Sequence, residues 1–426
     1  MGIAIVITAL VVAGVLALTP RIRDSRAWKA TVTPLSSIMG SGFLVSAPLV
    51  AAEAGVYAPL AMGALLAVAF AIGSMIRFNI RYAEGALEEE GQDGEHRMHR
   101  GHQHATVGHW SSTERTAARW LERGSHVVLA GAYVVSVSYY LQLLAAFVLD
   151  RLGIHDELWS RIGTSGVLAL ITAIGAAKGL GALEKVETYA VSLNLGMIAA
   201  LLVGLLVHDG ALAWQGELSI PDLPPDSDPT HAGRILMGLL IVVQGFETSR
   251  FLGSEHPAEE RVKTMRVAQI VAAVIYLCFV TLMLPLLGGS LDASVTAIVG
   301  LVTPVAAILP VLIVIAAVGS QFSASVADDA GCAGLLGTIF GDRVSARWSY
   351  VLIGGAAIGI TWLTDVFSII SLASRAFALF YALQCAVTAV TAYASPDAKG
   401  RWAYVVAGGG LAGLALSITV FGIPAE

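Results

Sequence analysis

The stretch SSIMGSGFLVSAP, residues 36–48, places Gly40, Ser41 and Gly42 in the middle of an apolar segment. A glycine inside a helix costs about 1 kcal/mol relative to alanine, so this triplet weakens the helix at that point. In a membrane, an opened backbone offers amide groups that suit an anion and carbonyl groups that suit a cation. Two interpretations of the triplet stay open: close helix packing through small residues, which the triplet alone favours, and a ligand site at an opened helix.

A related motif occurs later in the chain. The string GFETS begins at Gly245, directly after Gln244, and shares its Gly, Phe and Ser positions with GFLVS, which begins at Gly42. Discontinuous membrane helices use such breaks to present backbone groups to a bound solute. We therefore expect two broken helices that face each other across one polar chamber.

Two ionisable residues fall within apolar segments. Glu247 follows the second break, and Arg375 lies in SIISLASRAFALFYALQ. A charge near the bilayer centre costs at least about 2.5 to 3.5 kcal/mol, so each side chain needs protein, water or a partner around it. Three interpretations stay open: the two residues pair as a gate, Arg375 binds an anionic group of a solute, or they form a fixed ion pair without a part in turnover.

Other polar clusters give weaker signals. The segment HRMHRGHQHATVGHW contains five histidines that could bind a metal, but their spacing is irregular and their flanks are charged, so we expect a solvated linker. These residues are His96, His99, His102, His104 and His109. Asp328 and Asp329 are expected to contact water or nearby arginines. The sequence contains no P-loop, paired-cysteine motif or hydrolase constellation, so nothing indicates an ATP-driven pump or an enzyme.

The elements that must position these residues are membrane helices. The chain has 426 residues, of which 56% are hydrophobic and 13% charged, and its mean hydropathy is +0.75. About 20 apolar residues cross a bilayer as a helix, and backbone groups in lipid must be bonded within each segment. We predict an all-α integral membrane protein whose twelve spans are listed here: 2–19, 32–54, 58–78, 127–149, 162–178, 186–207, 232–254, 267–288, 303–327, 347–363, 366–393 and 402–422.

The distribution of basic residues predicts the orientation. If the run RIRDSRAWK is cytoplasmic, all but four of the 25 lysines and arginines fall on the cytoplasmic side or at its edge. The exceptions are Arg151, Arg161, Arg234 and Arg375. We therefore expect an inner-membrane protein with its N-terminus outside, an uncleaved first helix and a cytoplasmic polar loop over 85–126.

The spans divide into two sets of five. An odd number of crossings makes the second set begin on the opposite face, which is the geometry of an inverted repeat. The predicted organisation is an anchor helix with a basic linker (1–30), a first repeat (31–207), an outer loop (208–231), a second repeat (232–394) and an additional helix (395–426).

The sequence resembles the amino acid-polyamine-organocation (APC) superfamily. SSIMGSGFLVSAPLVAAEAG is similar to its first helix, whose Gly-Ser-Gly break binds a substrate carboxylate, and ILMGLLIVVQGFETSRFLGSEHPAEERVKTMRVA is similar to its sixth. GLGALEKVETYAVSLNLG resembles its helix 5, and GSQFSASVADDAGCAGLLGTIFGDRVSARW its helix 8. The likeness extends in order over residues 32–394 and implies a transporter with discontinuous helices 1 and 6.

The resemblance also implies site residues. Those expected to contact the solute are Gly40, Ser41, Gly42, Phe43, Gln244, Gly245, Phe246 and Glu247, with Tyr139 or Tyr140 as an aromatic gate. Sodium-coupled members bind the ion at positions that match Ser36, Met39, Ser320 and Ser323. Proton-coupled members replace it with a helix 5 lysine, where this chain has Asn194, so sodium is favoured.

We therefore expect a secondary transporter that moves a small amino acid or related organic solute by alternating access, with Na⁺ as the coupling ion and no cofactor. Its partners are the solute and the bilayer, with no nucleic acid, and the oligomeric state stays open. The alternatives are an inorganic-ion transporter on the same scaffold and a receptor that binds a solute without transporting it.

Overall fold

The computed structural model describes residues 2–40, 42–88, 110–178, 181–223, 228–253, 256–288, 295–340 and 345–424. In these ranges the chain forms helices joined by turns, and none of them contains a strand. Lipid offers no hydrogen-bond partners, so the backbone of an apolar membrane segment must bond within the segment, as it does in a helix. The all-helical architecture therefore follows from the apolar composition. The predicted fold class is confirmed.

Eight helices precede the central outer loop. They are α1 (Gly2–Leu18), α2 (Pro20–Arg23), α3 (Arg26–Gly40), α4 (Phe43–Ala54), α5 (Ala58–Glu88), α6 (Ser112–Arg151), α7 (Glu157–Lys178) and α8 (Gly181–Gln215). Seven follow it: α9 (Pro229–Gly238), α10 (Ala258–Met283), α11 (Ala297–Leu301), α12 (Leu309–Phe340), α13 (Ala346–Leu363), α14 (Val366–Ala394) and α15 (Arg401–Phe421). Two 3-10 segments, Leu240–Val243 and Phe246–Leu252, lie between α9 and α10.

Each of the twelve predicted spans coincides with helical structure in the described residues. Within the ranges that the structure describes, eight helical stretches are long and apolar enough to cross a membrane, and α1, with 17 residues, is shorter. The predicted spans 32–54 and 232–254 are interrupted, because α3 and α4 meet at a break and α9 gives way to 3-10 turns. Each set of five spans therefore begins with a discontinuous helix.

The prediction of a loop over 85–126 is wrong at both ends. Helix α5 continues to Glu88 and α6 begins at Ser112. Ser111 accepts from the Glu114 amide at 3.2 Å, and the Glu114 carboxylate accepts from the Ser111 amide at 2.8 Å. This capping box starts α6 within a polar sequence. Residues 89–109, including the five histidines, lie outside the described residues.

The long helices surround the two breaks. Helix α6 packs along α12 and α14, whereas α10 packs along α3 and α5. The predicted first helix lies against α8, where a Cβ at Gly196 would come within 2.6 Å of the Ala9 carbonyl oxygen. Only glycine allows that approach, so α1 is packed on the bundle rather than standing apart in lipid.

Candidate solute and ion site

The first break separates α3 from α4. Helix α3 ends at Gly40, and α4 begins at Phe43 after Gly42, whose φ is 147°. A side chain at Gly42 would lie 2.8 Å from a methyl carbon of Val242 and 3.1 Å from the Tyr139 hydroxyl. Position 42 therefore requires glycine for its backbone angle and for the space around it. Ser41 lies outside the described residues.

The second break follows α9. Gln244 is extended, with φ −83° and ψ 175°, and Gly245 has a φ of 114°. This pair reverses the backbone between the two 3-10 segments, which leaves the polar groups of Gln244 and Glu247 inside the bundle. Both side chains have no exposed surface.

The two breaks lie against each other. A Cβ at Gly245 would come within 2.5 Å of Ser37 Oγ and 2.7 Å of the Ile38 amide nitrogen. The Tyr276 hydroxyl, from α10, lies 3.0 Å from the Ile38 carbonyl oxygen and also contacts the Val242 carbonyl oxygen. The prediction of two discontinuous helices that meet inside the bundle is confirmed.

Several buried polar atoms around the breaks have no hydrogen-bond partner. They are Ser37 Oγ, the Tyr139 hydroxyl oxygen, Gln244 Oε1 and Glu247 Oε1. Leaving a buried polar group without a partner costs roughly 1–3 kcal/mol, and native proteins tolerate few of them. Four such atoms at one pair of breaks indicate that a polar ligand completes their bonding.

Two tyrosines of α6, Tyr139 and Tyr140, lie beside the breaks. The Gln244 amide donates to the Tyr140 hydroxyl at 2.7 Å, and Tyr139 approaches Gly42. Phe43 instead packs on α10, with its ring centroid 5.4 Å from that of Tyr276. Aromatic side chains of α4, α6 and α10 therefore pack around the breaks.

Glu247 is bound on one oxygen only. Its Oε2 accepts from the Gly245 amide at 3.0 Å and from the Tyr381 hydroxyl at 2.8 Å. The Tyr381 ring stacks on Phe246 at a centroid distance of 5.2 Å. Tyr381 was missed in the sequence, where it is one of many aromatic residues in apolar helices and carries no motif.

The proposed pairing of Arg375 with Glu247 is wrong. Arg375 is exposed on α14, and its Nε donates to the Thr419 carbonyl oxygen of α15 at 2.6 Å. Arg375 and Tyr381 are six residues apart, which places them on different faces of one helix. The guanidinium is therefore directed to α15, and neither gating by this pair nor solute binding by Arg375 fits the structure.

The expectation that Asp328 and Asp329 contact water or arginines is also wrong. Their exposed fractions are 0% and 4%. Helix α12 was predicted to end at 327 but continues to Phe340, so these carboxyl groups lie within the helix. Asp328 Oδ2 accepts from the Ser136 hydroxyl. The apolar sequence after Asp329 was the signal that could have extended the helix.

The four predicted sodium ligands come together between α3 and α12. Ser36 Oγ lies 3.1 Å from Ser323 Oγ, and Ser320 Oγ donates to the Met39 carbonyl oxygen at 3.4 Å. The last carbonyls of α3 have the partial negative charge of a helix C-terminus. Hydroxyl and carbonyl oxygens at that end suit a hard cation such as Na⁺. The described residues contain no group of three or more His, Cys, Asp or Glu that could hold a transition metal.

Ion pairs secure the segment beyond the second break. Arg250 pairs with Glu122 of α6 at 2.7 Å, and Arg261 of α10 binds Glu84 of α5 through two oxygens, at 2.6 and 3.0 Å. Arg261 also donates to the Arg250 carbonyl oxygen at 2.9 Å. Both arginines are less than a tenth exposed. This network closes the bundle on the side predicted to be cytoplasmic.

The chain is similar to known proteins over most of its length. An uncharacterized protein of Aquifex aeolicus (strain VF5) is 35% identical over 396 residues, which cover 92% of this chain and 91% of that protein. The solved structure of Mhp1, a nucleobase-cation-symport-1 family transporter in a closed conformation with bromovinylhydantoin bound, is 14% identical. It covers 93% of this chain and 94% of its own, with a TM-score of 0.49. A family model described as APC superfamily transporter matches residues 20–422. The chain therefore belongs to the APC superfamily of transporters.

Proposed function

We propose that this APC superfamily protein is a sodium-coupled secondary transporter that imports a small amino acid or related organic solute by alternating access. The observation that carries the proposal is the contact between Gly245 and the Ser37–Ile38 backbone, which brings two broken helices to one point. The unpartnered buried polar atoms around that point are groups that a zwitterion would bind. Bonding them to a solute offsets the cost of desolvating its charges.

The two breaks offer the solute opposite charges. The amino end of α4 carries a partial positive charge and suits the solute carboxylate, close to the Tyr139 hydroxyl. Gln244 Oε1 and Glu247 Oε1 are unpartnered acceptors and suit the ammonium group. The solute would therefore lie across the breaks, with its carboxylate on the first and its ammonium on the second.

Sodium would act by joining α3 to α12. The ion would lie between the Ser36–Ser323 pair and the Met39–Ser320 pair. It can contact both helices only when α3 and α12 are packed together. It therefore favours the conformation in which they are packed together, and a ligand shifts a conformational equilibrium by its difference in affinity for the two states. Gly40 permits this packing, since a Cβ there would come within 2.5 Å of Ala324 Cβ.

Uptake by proteoliposomes tests the proposal. Purified protein should accumulate radiolabelled L-alanine when sodium is supplied outside, and not when potassium replaces it. Ser323→Ala should raise the half-saturating sodium concentration about tenfold, which corresponds to roughly 1.4 kcal/mol. Ser325→Ala is the matched control, because its hydroxyl bonds the Phe322 carbonyl oxygen of its own helix at 2.8 Å.

Other results of this uptake assay would indicate a different function. Equal accumulation with sodium and potassium would refute sodium coupling. Saturable binding without accumulation would favour a receptor. The unpartnered carboxylate oxygens of Glu247 and Asp328 favour transport of an inorganic cation as the second candidate, which would appear as uptake of rubidium or manganese in place of L-alanine.

The orientation and location belong to the same proposal. The positive-charge distribution supports an inner-membrane location with the N-terminus outside and residues 85–126 in the cytoplasm. Single cysteines placed in these two regions should react with a membrane-impermeant maleimide from opposite sides of intact cells and inverted vesicles. Labelling of both from one side would refute this orientation.

A further inference from the structure

Two arginines on neighbouring helices mark the same boundary between apolar and charged sequence. Arg77 is the first charged residue after the apolar part of α5, and Arg266 is the last charged residue before the apolar part of α10. A membrane helix changes from apolar to charged sequence at the interface, which is where lipid headgroups lie. Both arginines are therefore placed at the depth of the lipid phosphates, on the side proposed to be cytoplasmic.

Contacts between α5 and α10 place the two arginines at one level. Arg81 binds Glu259 through two oxygens at 2.6 and 2.7 Å, and Arg77, one turn earlier on α5, donates to Gln269 Oε1. Arg266 lies seven residues after Glu259 and three before Gln269, and these spacings keep all three on one helix face. The face of α10 that meets Arg77 and Arg81 therefore carries Arg266 between its two contacts. The guanidinium groups of Arg77 and Arg266 also repel each other.

Arg77 carries a buried charge that no described carboxylate neutralises. It is 4% exposed, and its Nη2 donates to the Phe70 carbonyl oxygen at 3.4 Å, with the guanidinium carbon 4.9 Å from the Phe70 ring centroid. Its Nε has no hydrogen-bond partner. None of the ion pairs among the described residues includes Arg77 or Arg266. Burial of an ion without a counterion is strongly unfavourable, so an anion from outside the protein would stabilise this arrangement.

The surface next to the arginines is apolar and exposed. Arg266 itself is exposed, and the apolar part of α10 that follows it presents a stripe of exposed side chains: Val267, Ile270, Val271 and Val274. Phe70, on which Arg77 packs, is 37% exposed on α5. An anion that carries acyl chains would place its charge on the arginines and its chains along the stripe. A soluble anion would use only the arginines, so this surface favours a lipid.

We propose that Arg77 and Arg266 form a binding site for the phosphate of an anionic lipid such as phosphatidylglycerol, between α5 and α10. Arg266 binds the phosphate directly through charge-assisted hydrogen bonds. Arg77 contributes the second positive charge and its unused Nε donor. Basic pockets between membrane helices on the cytoplasmic side suit anionic headgroups. The site lies apart from the chamber at the breaks and does not depend on which solute is transported.

Thermal unfolding of the full chain in lipid nanodiscs tests this site. Discs of dioleoylphosphatidylcholine are compared with discs that also contain dioleoylphosphatidylglycerol. A ligand that binds the folded state raises the melting temperature, so the wild-type protein should unfold several degrees higher when phosphatidylglycerol is present. Arg266→Gln and Arg77→Gln should each lose most of this increase. Lys399→Gln, which removes an exposed cation from the turn between α14 and α15, is the control and should keep it.

The Arg77 variant separates lipid binding from a purely structural role. In phosphatidylcholine alone, loss of an unpaired buried charge should leave the melting temperature equal to or above that of the wild-type protein. A residue that only joins α5 to α10 would instead lower it equally in both kinds of disc, and that result would overturn the inference. An unchanged phosphatidylglycerol effect in Arg266→Gln would overturn it as well.

A soluble headgroup distinguishes a lipid from a free phosphate. Glycerophosphoglycerol, which is the phosphatidylglycerol headgroup without its acyl chains, should not raise the melting temperature in phosphatidylcholine discs. If it stabilises the protein as much as the lipid does, the site binds a soluble phosphate ester and the lipid proposal is refuted.

Discussion

Replacing Gly245 by alanine should separate the two breaks. The new residue would have to keep a φ of 114°, and its Cβ would lie 2.5 Å from Ser37 Oγ, 2.6 Å from the Ser37 carbonyl carbon and 2.7 Å from the Ile38 nitrogen. The disfavoured backbone angle costs about 1–3 kcal/mol, and overpacking against atoms that cannot rotate away costs about 1–3 kcal/mol more. We therefore expect a loss of roughly 2–6 kcal/mol for the conformation in which the breaks meet.

Two assays measure this effect. The apparent melting temperature, followed by size-exclusion chromatography after heating, should fall by several degrees, and L-alanine uptake should fall at least tenfold, the factor that about 1.4 kcal/mol produces. Gly233→Ala in α9 is the control, because no atom lies within 4 Å of a Cβ there and its backbone is helical. It should keep full uptake and gain up to about 1 kcal/mol in helix stability.

Equal melting temperatures and equal uptake for Gly245→Ala and the wild-type protein would refute the reasoning. They would mean that Gly245 does not pack on the Ser37–Ile38 backbone. A fall in both variants would instead show that the assay responds to any change in the broken helix.

Three further changes test other contacts. Tyr276→Phe removes the hydroxyl that contacts both breaks and should cost about 1–3 kcal/mol, because buried carbonyls lose a donor; an unchanged melting temperature would contradict this. Arg250→Gln removes the guanidinium that pairs with the Glu122 carboxylate and should cost about 3–5 kcal/mol. Cys385 is buried and follows Gln384, to which Arg250 donates, so it should react with maleimide faster than in the wild-type protein. Equal rates would show that the network does not close that side. Arg375→Gln should leave L-alanine uptake within about twofold, because Arg375 contacts the Thr419 carbonyl oxygen away from the chamber; a tenfold loss would restore a role for it in turnover.

Periodicity and composition predicted the spans well because lipid allows few backbone solutions. The breaks were predictable from glycine chemistry, and Gly42 and Gly245 have the positive φ angles that such breaks require. The pairing of Ser36 with Ser323 was predictable only through the resemblance, since 287 residues separate them. The local sequence of two helices so far apart in the chain does not determine which of their faces pack against each other.

The errors have two physical origins. Asp328 was misplaced because two adjacent acidic residues are typical of the polar end of a membrane span. Helix α12 instead continues through both residues to Phe340. Arg375 was misplaced because an apolar segment does not reveal which of its faces meets the chamber and which meets another helix. Burial of polar residues in a bundle is decided by neighbouring helices, which the sequence of one segment does not contain.

Tyr276 has a single hydroxyl proton but contacts carbonyl oxygens on both broken helices. When the helices separate, at least one of these carbonyls must lose that contact. Water or the solute must then supply a new donor, so molecules with N–H or O–H groups lower the barrier to separation. Turnover should therefore depend on how many hydrogen-bond donors a solute carries, even among solutes that bind with equal affinity.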